Sequence, residues 1–235
     1  MRRSWSRWQL DGFCKRSLNP MLLLSTELLL AVALAVALWM RPWQFLRGGA
    51  LISPLLGCLV VLPWLWALPW LHTMPLQLHW SLACLVLLML GWPLAVPTLC
   101  LVAVLAGLLG EQTWEVVVTL AFWRGVLPAT LALALGAGIR RLVGPHLFVY
   151  VLGRGFLGAA ACLFAASAAL QWLGPVQPGL NKDLSLVAHW LTAWGDAFVT
   201  GMLTAVFVAF KPSWLATWSD TLYLPKPPSS NDPTD

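Results

Sequence analysis

Apolar runs of bilayer length follow one another from Met21 to Phe210, with only short polar breaks between them. A helix needs roughly 20 mostly apolar residues to cross the hydrocarbon of a membrane. Backbone polar groups there must bond within the protein, which leaves helices or a closed barrel. The runs are continuous and rich in Leu and Ala rather than alternating, so helices are expected. Only 10% of the 235 residues are charged and the mean hydropathy is +0.78, whereas a soluble domain carries about a quarter charged residues. Too few polar side chains exist to clothe a water-facing surface. The expected fold is therefore all-α: a polytopic membrane helical bundle.

The runs divide as follows. Residues 1–20 form a basic, Trp-bearing surface tail, 21–210 the transmembrane domain, and 211–235 a polar tail whose Pro, Ser and Asp content predicts disorder. The first span reads Met21 to Met40 and the second about Ala50 to Leu71, with Pro54, Pro63 and Pro69 bending it or fraying its ends. The stretch from Leu76 to Leu109 is too long for one crossing. Gly91-Trp92-Pro93 splits it, and a tight hairpin between two short spans is expected there. Spans over about Val117–Gly138, His146–Leu173 and Leu184–Phe210 complete a count of about seven. A count of six, with one short segment re-entrant, would put the basic loops and the basic tail on one side, as the positive-inside rule favours. A cleaved leader is disfavoured, because Asp11 sits in the basic region and Glu27 interrupts the apolar core, so the first span is read as retained.

The net charge of +5 comes from basic residues in tails and short loops, a membrane-anchoring pattern that gives no reason to invoke nucleic acid. Several of the sixteen tryptophans fall at span ends (Trp39, Trp43, Trp70, Trp114, Trp172, Trp214), as an interfacial belt requires. The five cysteines are scattered without a CxxC pair and read as buried thiols. No GxSxG, HExxH, paired intramembrane aspartates or Walker lysine loop is present, so neither an enzyme nor an ATP-hydrolysing subunit is expected.

Ionisable groups inside spans are costly and point to a bundle interior or a cavity. The last span has the clearest pattern: His189, Thr192, Asp196, Thr200 and Thr204 share one helical face, opposite Leu191, Trp194, Phe198 and Met202. That face either bonds to neighbouring helices or meets a substrate. His79, Asp196, His189, Thr200 and Glu27 are the candidate substrate-binding residues. Glu27 follows Ser25 and Thr26 in the first span, with Arg124 and Arg154 as candidate counter-charges for it or for Asp196. Small residues four apart (Ala132, Gly136; Gly155, Ala159; Gly158, Cys162, Ala166) predict close helix approach.

Three segments resemble the substrate-binding membrane component of cobalt/nickel energy-coupling-factor transporters, the CbiM-like permeases. Leu78-His79 opens an apolar run that breaks at Gly91-Trp92-Pro93, as a histidine and a Gly-Pro break do in that family. Ala121-Phe122-Trp123-Arg124-Gly125-Val126 is similar to its Asn-Phe-Asn-Met-Gly-Val stretch, and Gly195-Asp196-Ala197-Phe198-Val199-Thr200 to a final helix opening Gly-Glu-Gly. The tail from Lys211-Pro212-Ser213-Trp214 to Tyr223-Leu224 looks like an uncharacterised bacterial branch of such permeases. The resemblance implies about seven helices, a bacterial plasma (inner) membrane, a transmembrane coupling subunit and ATPase subunits as partners, and Co²⁺ or Ni²⁺ as cargo with no resident cofactor. It makes His79 the candidate metal ligand. Metal-binding members begin Met-His, whereas this chain begins Met1-Arg2-Arg3, so of that nitrogen set only His79 carries over. The rival reading is a structural or assembly membrane protein whose small-residue faces bind partner helices.

Overall fold

The computed structural model describes residues 20–71, 80–143, 148–173 and 182–218. These residues are almost wholly helical and contain no strand. Helices α1 (Pro20–Trp39), α2 (Trp43–Leu46), α3 (Ile52–Leu71), α4 (Ala83–Leu90) and α5 (Trp92–Leu109) lead into α6 (Trp114–Thr119). A π-helical stretch, Leu120–Val126, joins α6 to α7 (Leu127–Val143) in one continuous rod. A second, Val149–Leu157, opens α8 (Gly158–Leu173), and α9 (Lys182–Phe210) is the longest helix. Six of these rods are long and apolar enough to cross a membrane: Met21–Trp39, Ile52–Leu71, Trp92–Leu109, Trp114–Leu142, Val149–Leu173 and Leu184–Phe210. The protein is a multi-pass, all-α membrane bundle.

The segment expected to be a third span is built differently. Helix α4 has only eight residues, about 12 Å of rise, and every one of them is buried. Contacts at the rod ends fix its direction. Phe45, Leu51, Leu215 and Trp218 line one concavity, and Gly91 lies against Ala216, which gathers the starts of α3 and α5 and the end of α9 at one end of the bundle. At the opposite end Gly110, after α5, lies against Trp70, near the end of α3. The chain thus leaves one end at Leu71 and reaches the other at Gly91. Added to the six long rods this makes a seventh passage, completed by a half-helix.

Local sequence explains the hairpin that follows. Gly91 has φ +73°, a value costly for a side-chain-bearing residue, and Pro93 stands at the start of α5, where a missing N–H costs no helical bond. Residues 211–218, which composition assigns to the disordered tail, instead fold back over the bundle as a strap. The N–H groups of Ala216 and Thr217 donate to the carbonyls of Met89 and Leu88, and the Thr217 hydroxyl donates to Leu88 as well. These bonds satisfy carbonyls that the C-terminus of a half-helix leaves open. Leu215 is buried beneath them. Composition misses the strap because its partners are backbone carbonyls more than 120 residues away in sequence.

Packing follows the small-residue pattern. Gly155 faces Thr204 at 3.3 Å from the place a Cβ would occupy, and Gly158, Ala159, Cys162 and Ala166 are all buried. Leu191, Phe198 and Met202 on α9 face outward, as do Trp39, Trp43, Trp114 and Trp172 at rod ends. The described cysteines, Cys58, Cys84, Cys100 and Cys162, are free thiols, and all but Cys100 are buried.

Candidate functional site

The half-helix begins in the middle of the bundle, where Leu82, at the cap position, offers no side-chain bond and the N–H groups of Ser81 and Leu82 leading into the first turn need an acceptor. Asp196, near the midpoint of α9, fills that role from across the core. Its carboxylate accepts the N–H of Ser81 at 2.9 Å and of Leu82 at 3.1 and 3.2 Å. An anion at a helix N-terminus is also favoured by the aligned peptide dipoles. Asp196 is only 3% exposed, so this internal satisfaction is what makes a carboxylate tenable there.

Ser81 ties two further rods to the same point. Pro128 has no N–H to give the Arg124 carbonyl four residues earlier, and the Ser81 hydroxyl donates to that carbonyl. The same hydroxyl accepts from Ala83 N–H, while Trp66 Nε1 on α3 donates to the Ser81 carbonyl at 3.1 Å. Gly125 lets Trp66 come close: a Cβ there would sit 3.3 Å from the indole. Leu82 adopts φ +50°, a left-handed conformation that a branched apolar side chain avoids, and the bond to Asp196 helps to hold it. Four elements, α3, the π stretch, α4 and α9, therefore meet at one buried polar knot.

The residues expected from sequence distribute around it. Asp196, Thr200 and Thr204 are buried on the inner face of α9, with Thr204 bonded to the Thr200 carbonyl and Thr200 Oγ1 without a partner among the described residues. His189 and Thr192 continue that face toward the end that holds Trp70 and Gly110, and both are partly exposed. Arg124 is also partly exposed and lies within electrostatic reach of His189. A polar line thus runs along α9 from a partly open end to a closed knot. Glu27 does not join it. That residue sits on α1, whose main neighbours are α5 and the rod from Trp114 to Val126, and the adjoining Ser25 and Thr26 hydroxyls bond to carbonyls of their own helix. Asp196 is held by backbone N–H groups rather than by Arg124 or Arg154.

His79 lies outside the described residues, two positions before Ser81 in the chain. Among the described residues no three His, Cys, Asp or Glu side chains gather to hold a metal ion. Sequence reasoning missed Ser81, Leu82, Trp66 and the Arg124 carbonyl. Backbone groups carry no residue-type signature, and the one available clue was Pro128 following Arg124 by four.

No family model, curated protein or solved structure matches this chain. The fold and its knot define a class: an integral membrane protein with a half-helix ending at a buried carboxylate in mid-bundle.

Proposed function

We propose that this protein is the membrane substrate-binding component, or permease, of an energy-coupling-factor transporter, with a divalent cation of the cobalt/nickel class as cargo. One observation carries the reading. The three segments that resemble such permeases, around residues 78–93, 121–126 and 195–200, lie far apart in sequence and converge on the Ser81–Arg124–Asp196 knot. Half-helices that end at mid-membrane are where transport proteins expose backbone groups to a substrate. A buried aspartate on a polar line that is partly open at one end suits a cation better than an anion. In this reading the protein sits in a bacterial plasma membrane beside a coupling subunit and ATPases, and His79 and Asp196 contact the cargo.

The test is direct. The protein is purified from cells that also express candidate coupling and ATPase subunits, and Co²⁺ and Ni²⁺ binding is measured by equilibrium dialysis. Wild type should bind at least tenfold tighter than His79→Ala, and an ATPase should co-purify. Equal, negligible binding by both removes the metal cargo; a purified complex without any ATPase removes the transporter. One feature favours a structural or assembly protein as the second reading: the Asp196 carboxylate is satisfied by the protein's own backbone, and surface concavities at the strap and between α3 and α5 lie away from it.

A further inference from the structure

The end of the bundle closed by the strap is basic. Arg41, Arg47, Arg140, Arg141 and Lys211 are all exposed there. The described acidic side chains lie elsewhere: Asp196 in the knot, and Glu27, Glu111 and Glu115 toward the opposite end. Slightly deeper than this rim is Arg154, five residues into its rod from Val149. Its guanidinium lies so close over Gly136 of α7 that a Cβ at that position would overlap Nε. Nε itself is buried and has no hydrogen-bond partner among the described residues.

The guanidinium is nonetheless fixed in place. It stands 5.5 Å from the Tyr150 ring centroid, one turn back on its own helix. Tyr150 is in turn held by the Thr217 hydroxyl at 2.6 Å and by an edge-on contact with Trp218. Arg140 is one turn from Gly136 on the same face of α7. Helical side chains lean toward their own N-terminus, so Arg140 leans back toward Gly136 while Arg154 leans out toward the rim. Arg140 is thus directed back along α7 toward the notch that Arg154 occupies between α7 and the Val149–Leu157 stretch, and no carboxylate among the described residues meets Arg154 there.

We propose that this notch binds the phosphate of an anionic phospholipid headgroup, with Arg154 as the inner ligand and Arg140 as the outer one. Guanidinium groups match phosphate oxygens in charge and planar geometry. Basic pockets between transmembrane helices near a membrane surface have the right depth for a lipid phosphate. The outward side chains deeper along the two rods decide between lipid and free phosphate: Leu133 and Leu135 on α7 and Leu157 on the Val149–Leu157 stretch are exposed and would lie along acyl chains. The site is independent of any transported cargo.

The protein in neutral detergent is incubated with mixed phosphatidylglycerol and phosphatidylcholine, and retained lipid is counted by native mass spectrometry. Wild type should retain phosphatidylglycerol at least fivefold over phosphatidylcholine. Arg154→Gln should lose that preference, and so should Gly136→Ala, which keeps every charge but displaces the guanidinium. Arg41→Gln, on the same rim but away from the notch, should keep it. Melting in phosphatidylcholine alone checks folding, and if Arg154→Gln does not fold, Gly136→Ala decides. Equal retention in wild type and Gly136→Ala overturns the proposal, as does loss of preference in Arg41→Gln. Competition by millimolar inorganic phosphate as effective as by lipid overturns the lipid assignment.

Discussion

Asp196 and Ser81 show how one polar residue per rod can set the geometry of an apolar bundle. A buried carboxylate that accepts two backbone N–H groups contributes about 1.5–3 kcal/mol per charge-assisted bond, and its removal leaves those donors unpaired in a dry core. Asp196→Ala should therefore lower stability by about 3 kcal/mol or more. Asp196→Asn keeps an acceptor oxygen and should cost about half as much. Thermal unfolding of both variants in one detergent checks the order, and an alanine variant as stable as wild type would mean that the carboxylate does not cap α4. Ser81→Ala keeps both backbone bonds of Ser81 and loses only its hydroxyl links to Arg124 and Ala83. A cost of about 1–2 kcal/mol is expected from the stranded Arg124 carbonyl. The candidate residue Asp196 was legible in the sequence because an acid in an apolar run stands out. Its partners were not, since Ser81 and Leu82 contribute main-chain N–H groups from 115 and 114 residues away.

Among the elements, α4 depends most on its surroundings. Eight residues are too few to be a stable helix alone, so its order comes from tertiary burial and from caps at both ends. Asp196 supplies the first cap and the strap supplies the second. The Leu76–Leu109 run and its break at Gly91 were legible, because Gly and Pro interrupt an otherwise unbroken apolar pattern. The half-helix was not. Hydropathy registers Leu78–Leu90 as apolar whether or not every residue is helical, and nothing in it records that residues 80–82 lie outside α4. Two glycines test the element packing. Gly91→Ala puts a side chain at φ +73° and should cost about 1–3 kcal/mol. Gly107→Ala would drive a Cβ into Val117 across the α5–α6 contact, an overpacking penalty of about 1–3 kcal/mol unless the two helices part. Gly57 has open space at its Cβ position, so Gly57→Ala serves as the neutral control. If all three melt together, these close approaches do not hold the bundle.

For the whole molecule the outstanding question is how many times the chain passes through the membrane, because the answer sets where each tail lies. Six rods are long enough alone, and a count of six would return both tails to one side. The contacts at the rod ends give a different answer. Helix α1 delivers the chain to the end where Phe45 and Leu51 meet the strap, so its own start lies at the opposite end. Helix α9 runs into the strap, and residues 211–218 remain at that end. An odd number of passages lies between, and α4 with its non-helical lead-in makes the difference. Charge does not override this geometry, because basic residues occur in the N-terminal sequence as well as around the strap. Tags that report sidedness should therefore give opposite signals at the two termini. Single cysteines in a background lacking the native thiols refine the test: one replacing Gln44 should react from the side of the C-terminal tag, and one replacing Glu111 from the side of the N-terminal tag. Should both termini report one side and both probes the other, residues 72–91 would enter and leave through one face, and the passage built on α4 would be lost along with the capping role assigned to Asp196.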